Sequence, residues 1–378
     1  DWHPISVQSE QQAHLVIIGT GNIAEIVAIH AAHTAHFPNY VRNHSLRTRI
    51  TIIEENVSAW AEQLLTHYKY LFRHSFYRRI HPSLTPIQQL FHQPQGYTPA
   101  NEFVDLEWEF VDASVHHPVV KAKLNRWSHA RNQLLTVVLA HQDESKDFSE
   151  ALYLNDELAD TPTPIYVYMH DDRILRQTDL QQGANNLIPF GMLDRGYDVT
   201  LPLVRMAKNV NHIYDLCYAD NDAEWTGQMR YAVEMDESMR EQSWARLSAI
   251  KRTSSMYSAM TVGIKMRSIG LDEDAWHRFH DIPQQQIELL AEVEHNRWSV
   301  EELILGWRPC TAEEQKEVEA DIKQKEVLKK RKIHYDLRPY RDLRPDQTGK
   351  PAALYDLYIC ASLPLIANEW VKGMRNDE

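Results

Sequence analysis

Residues 14–18 read His-Leu-Val-Ile-Ile, a nearly unbroken apolar run, and lead straight into Gly19-Thr20-Gly21-Asn22-Ile23-Ala24. No other stretch limits the fold of this chain so closely. A run without polar alternation suits a strand covered on both faces, as in a parallel sheet flanked by helices. The glycine spacing is the GxGxxA form of a dinucleotide fingerprint. Its first glycine permits the tight turn, its second lets backbone approach a pyrophosphate, and its small third residue lets helix pack on strand. The helical stretch EIVAIHAAHTAHF then aims free N–H groups at an anion. The next apolar run, RITII (49–53), ends in Glu54-Glu55. A carboxylate there is placed to accept from ribose hydroxyls, and it disfavours a 2′-phosphate. The interval exceeds the usual ~20 residues because HFPNYVRNHSLRT is inserted. Gly19, Thr20, Gly21, Asn22, Ile23, Glu54 and Glu55 are therefore the candidate cofactor residues, for NAD or a related adenine nucleotide.

The rhythm of strand and helix continues. Strands are expected at 104–114, 134–142, 164–171 and 186–194, with helices at VVKAKLNRWSHARN and 147–158. Six strands alternating with helices define an α/β fold with a doubly wound parallel, Rossmann-like sheet over 12–196. Beyond about residue 198 the period becomes helical, over 203–219, 242–270 and 282–307. Residues 311–332 carry alternating charges at three- and four-residue spacing, which predicts one solvated helix laced with ion pairs. An Arg/Pro/Tyr-rich loop from 334 then leads into a last helix before 368.

Charge and cysteine usage narrow the partners. The formal net charge is −13, which disfavours a nucleic-acid backbone or an anionic membrane as main partner. Three cysteines without a CxxC pair point to a reducing, cytoplasmic setting rather than a disulfide scaffold. No apolar run is long enough to span a bilayer. The chain begins at Asp1 rather than Met, as expected of a processed protein or of a soluble piece of a longer one. A channel segment ahead of Asp1 would make gating the output. His30, His33 and His36 share a helix face by pairs, but no HExxH accompanies them. They are expected as surface or partly buried histidines, with no metal.

The C-terminal half resembles the RyR domain, the small helical module named for the ryanodine receptor. The resemblance rests on His295-Asn296-Arg297-Trp298, Glu301-Glu302, Gly306-Trp307, the segment from His334 through Pro339-Tyr340 to Asp342-Leu343, and a closing helix ending in Leu363-Pro364. It covers 282–368, and 203–271 looks like a degenerate first copy. Lys208 to Tyr214 parallels Glu292 to Trp298, and Ser243 to Leu247 parallels Arg338 to Leu343. Residues 12–196 are similar to the TrkA-N or RCK-like nucleotide-binding domains of potassium transport. That combination implies a ligand-sensing regulatory protein, a homodimer, with a role in ion transport or anti-phage defence. Arg338 departs from the module's pattern, where an apolar residue is usual.

The flat rings and forked donors of this region suit a base and its phosphates. The candidate ligand residues are His295, Arg297, Trp298, Glu302, Trp307, Tyr335, Arg338, Tyr340, Arg344 and Lys350. The alternative for the two tryptophans is core packing, and for the arginines pairing with carboxylates. No YxxxK, GxSxG or P-loop is present, and no catalytic residue stands out. A non-catalytic sensor of a small nucleotide ligand is thus the leading reading. An NAD-dependent oxidoreductase with a helical substrate domain is the second. A protein-interaction module with a vestigial nucleotide site is the third.

Overall fold

A computed structural model describes residues 4–83, 87–171, 186–192, 202–219, 237–271, 282–344 and 352–368. The chain enters on β1 (Gln12–Ile18), turns at the glycines and forms α1 (Asn22–Thr34) and a short α2 (Pro38–Arg42). There follow β2 (Thr48–Glu54), α3 (Val57–His67), α4 (Lys69–His74), β3 (Phe76–His81), β4 (Gln88–His92) and β5 (Leu106–Asp112). Then come α5 (Pro118–Ser128), β6 (Gln133–Leu139), α6 (Glu144–Glu157), β7 (Ile165–Tyr168) and β8 (Leu187–Phe190). The eight strands make one sheet in the order β4-β3-β5-β2-β1-β6-β7-β8. All its pairs are parallel except β3 with β4.

The sheet is covered on both faces, which explains its apolar strands. Ile17, Ile50 and Ile52 meet Ala24, Ala28 and Ala32 of α1 and Leu64 and Phe72 of α3 and α4. Their neighbours Val16, Ile18 and Ile53 point the opposite way, onto Val120 and Leu124 of α5 and Ala151 and Leu154 of α6. Alternate residues serve alternate faces because the pleat repeats every two residues. The six expected strands are present, with β1 and β2 a little longer than expected and the other four shorter. The β3–β4 pair was not anticipated. QQLFH is the edge strand and FYRRIH the strand beside it; both are mixed in polarity, without the aliphatic runs that mark the central strands.

The helical half contains α7 (Pro202–Ala219), α8 (Glu237–Arg246), α9 (Ala249–Met260), α10 (Val262–Ser268), α11 (Gln284–Ile304), α12 (Ala312–Ala320), α13 (Gln324–Lys329) and α14 (Leu354–Ala361). Two short parallel strands, β9 (Arg308–Pro309) and β10 (Ile333–His334), pair within it. The helical stretch 242–270 is divided. Ser248 caps α9 by accepting from the Lys251 amide, and Thr261 ends it. The stretch 311–332 is likewise two helices rather than one. Thr311 and Glu314 form a reciprocal capping box at its start, and Asp321 leaves helical geometry. Nor is it wholly solvated, because Val318 and Leu328 pack with Cys310, Ile333 and Tyr335.

The segments 203–271 and 282–368 share a single core. Met206, Val210 and Ile213 of α7 meet Ala259, Val262 and Met266, then Leu290 of α11 and Leu357 and Ile359 of α14. The far end of α11 inserts elsewhere: Val300 and Leu303, flanked by Trp298 and Trp307, join the α/β core beside α1 and α4. One 21-residue helix therefore belongs to both cores. It is buried nearly all round, as a helix bridging two hydrophobic layers has to be.

Candidate functional site

The strand order reverses between β1 and β6, and in open α/β sheets ligands bind at such a switch point, outside the carboxyl ends of the strands. The glycine turn lies there. Gly19 (φ 113°) and Gly21 (φ 108°) both occupy left-handed backbone that only glycine adopts without strain. They differ in what surrounds them. A Cβ on Gly19 would sit 2.9 Å from the Ala140 carbonyl carbon and the His141 nitrogen, so the turn is packed on the backbone that directly follows β6. The atoms nearest a Cβ on Gly21 would all belong to the Gln142 side chain, with Nε2 at 2.5 Å. Ala24 is fully buried against the sheet, as the fingerprint requires. No side chain caps the start of α1, which leaves its first amides for an anion. The start of α6 differs, since Asp143 already accepts from the Ser145 and Lys146 amides. Thr20 and Ile23 are half-buried, and Asn22 is exposed at the mouth.

Glu54 ends β2 on the other side of the turn, and its carboxylate is engaged. Its Oε2 lies 2.8 Å from His141 Nε2 and 3.2 Å from Lys146 Nζ. The His141 contact lacks hydrogen-bond alignment and acts as an ion pair. The other ring nitrogen of His141 meets Asp147 Oδ1 at 2.7 Å, and the His141 amide donates to that oxygen at 3.0 Å. Glu150 Oε2 stands 3.7 Å away. These contacts strap the ends of β2 and β6 together across the end of β1. Burial works against charge on His141, yet Asp147 and Glu54 push its pKa up to about 9. Burial also works against charge on Glu54, but His141 and Lys146 hold its carboxyl below the usual range. Glu150, penalised mainly by burial, is raised. Glu55 is exposed.

A pH dependence follows. Because the folded pKa of His141 stands above its ordinary 6.5, its charge stabilises the fold fully below that pH. The contribution fades as pH climbs toward about 9. His141→Gln is therefore expected to lower the urea midpoint at about pH 6 and to leave it near wild type at about pH 10. A deficit that grows with pH would contradict this.

Sequence reasoning missed His141, Gln142, Lys146, Asp147 and Glu150. The signal that finds them is positional: HQDESK directly follows the apolar run of β6, but only the strand order places that run beside β1.

The candidate ligand residues of the helical half are mostly committed to the fold. Arg297 is 1% exposed and bonds Glu294 at 2.9 Å and Glu301 at 2.6 Å. Lys265 pairs with Glu294 too, so four buried charges alternate in sign. His295 donates from Nε2 to the Arg338 carbonyl at 2.9 Å and faces Asp356 at 3.4 Å. Trp298 and Trp307 meet His334 edge-on and lie at the junction with the α/β core. Tyr340 lies against His295. Glu302 is half-buried, and burial with the neighbouring Glu301 pushes its pKa up to about 7.

Arg338 is the exception. Its guanidinium carbon lies over the Tyr335 ring at 3.9 Å, its Nε donates to the Tyr335 carbonyl, and its buried Nη2 has no partner. Arg344 is exposed, and Lys350 lies outside the described residues. The structure thus brings His295, Trp298, Tyr335, Arg338 and Tyr340 together around the 334–340 segment. Arg297 and Glu302 lie apart from that group.

The histidine triplet also departs from expectation, since His33 and His36 are buried. His33 stacks on Tyr257 of α9 at 3.7 Å, and burial brings its pKa down to about 3. His36 bonds Asp105 at 2.8 Å and the Ala32 carbonyl at 2.9 Å. Both tie structural elements together. Among the described residues no cluster could hold a metal ion, and no helix is long and apolar enough to cross a membrane.

Comparison with protein-family models, with curated proteins and with solved structures finds no match for the chain.

Proposed function

We propose that this chain is a non-catalytic nucleotide sensor. Its α/β crevice takes NAD or another adenine nucleotide, and its helical half takes a second nucleotide-type ligand or a partner and carries the output. The uncapped start of α1 above Gly19 and Gly21, at the switch point and facing Glu54, supports this most directly. The diphosphate sits on the α1 amides, and a ribose diol donates to Glu54. The many carboxylates around the crevice repel a 2′-phosphate, so NAD is favoured over NADP.

The ribose has to replace His141 and Lys146 on Glu54, which makes the strap a competitor of the ligand. Ligand energy then reaches the helical half because α11 is built into both cores. In that half the unpartnered Arg338 nitrogen, beside the Tyr335 ring, is where an anionic ligand gains most. Output through ion transport or anti-phage defence belongs to the same reading.

Titration with NAD, ADP-ribose, NADP, ATP and cyclic nucleotides tests the proposal. NAD and ADP-ribose are expected to bind, with Glu54→Gln weakening them by about tenfold and His141→Gln strengthening them several-fold. Absence of binding by every nucleotide would remove the proposal. Weaker binding by His141→Gln would show that the histidine holds the ligand rather than competing with it.

A further inference from the structure

The outermost strand of the sheet carries an inference that stands independently of the nucleotide site. Among the described residues β4 is paired on one side only, with β3. Its outer row of backbone groups is free to pair with another strand. Leu90 and Phe91 on it are 61% and 65% exposed, and Ile87 just ahead of it is 47% exposed, which groups three large apolar side chains along this edge. Edge strands usually protect themselves with lysine, an internal proline or a bulge. The segment 87–93, IQQLFHQ, has neither a lysine nor a proline, and no charged residue.

The strand is also tied to β3 by ring contacts. The His92 ring stacks on Tyr77 at 4.3 Å, and Phe91 lies 6.0 Å from Phe76. The nearest cations on β3, Arg78 and Arg79, are committed to Glu109 and Glu62.

We infer that β4 pairs antiparallel with β4 of a second copy of this chain, about a two-fold axis at Leu90. In that register Leu90 faces Leu90 of the partner subunit, Gln89 faces the partner's Phe91, and Gln88 faces the partner's His92. No like charges oppose each other, and glutamine amides and apolar groups meet across the axis. The chain as a whole carries a net charge of −13, so two copies repel over most of their surface. This neutral strand is where they approach at least electrostatic cost. A charged peptide finds nothing here to pair with, which favours self-association over capture of an acidic or basic segment.

Sedimentation velocity with the full chain tests the inference, supported by cysteine cross-linking. The wild type is expected to sediment as a dimer and Leu90→Lys as a monomer with unchanged melting temperature. Residues directly opposed in an antiparallel pair have Cα atoms about 4.5–5.5 Å apart, within disulfide reach. Leu90→Cys is therefore expected to form a covalent dimer on oxidation. The two copies of position 87 would lie roughly 20 Å apart, so Ile87→Cys is expected not to. The native cysteines are buried and give little background. A monomeric wild type, a dimer that survives Leu90→Lys, or equal cross-linking at 87 and 90 would each overturn the inference.

Discussion

Replacing Arg297 with leucine is expected to lower the unfolding free energy by about 3–5 kcal/mol, a large part of the stability of an ordinary domain. The guanidinium bonds Glu294 and Glu301 inside a helix that contributes to both cores. Its loss leaves Lys265 to neutralise Glu294 and leaves Glu301, itself 2% exposed, without a cation. An unpaired buried carboxylate holds a proton more readily folded than unfolded, so the variant gains relative stability as pH falls. The deficit should accordingly be narrower at about pH 5 than at about pH 8 in urea unfolding. A loss under about 1 kcal/mol would show that the network is not the brace described here.

The second large effect concerns the glycine turn, where two neighbouring substitutions should fail for different reasons. Gly21→Val is expected to reduce nucleotide affinity by at least about a hundredfold while the chain still folds. The new side chain displaces the exposed Gln142 side chain, yet it stands over the α1 amides and imposes strain at φ 108°. Gly19→Val is expected to impair folding itself, because its Cβ meets the backbone that directly follows β6. Titration and thermal melting distinguish the two. A Gly21→Val protein with unchanged affinity would place the ligand elsewhere.

Much of this was legible in the chain. HLVII, the glycine spacing and RITII ending in Glu54 carry the α/β core because strands buried on both faces show themselves by composition alone. The β3–β4 pair hid because an edge strand needs no aliphatic run, and QQLFH shows neither an apolar run nor a strict alternation. The split of 311–332 hid for a related reason: charges spaced for one helix continue through Asp321, and a break of three residues leaves no gap in the pattern. The site was half visible. Glu54 follows from the motif, but His141 becomes its partner through a crossover that brings β6 beside β1, and sequence order does not encode strand order. In the helical half the HNRW stretch falls where α11 is buried on all sides. Residue types could not say that Arg297 turns inward to two glutamates while Arg338, forty-one residues on, keeps a free nitrogen.

Hydrogen–deuterium exchange with and without NAD tests the central claim most directly, because it reads the amides that are meant to hold the diphosphate. Slowed exchange is expected at residues 19–25, with a smaller effect around Glu54 and His141 as the strap is displaced. Protection confined to other segments, with residues 19–25 exchanging as in the free protein, would contradict it.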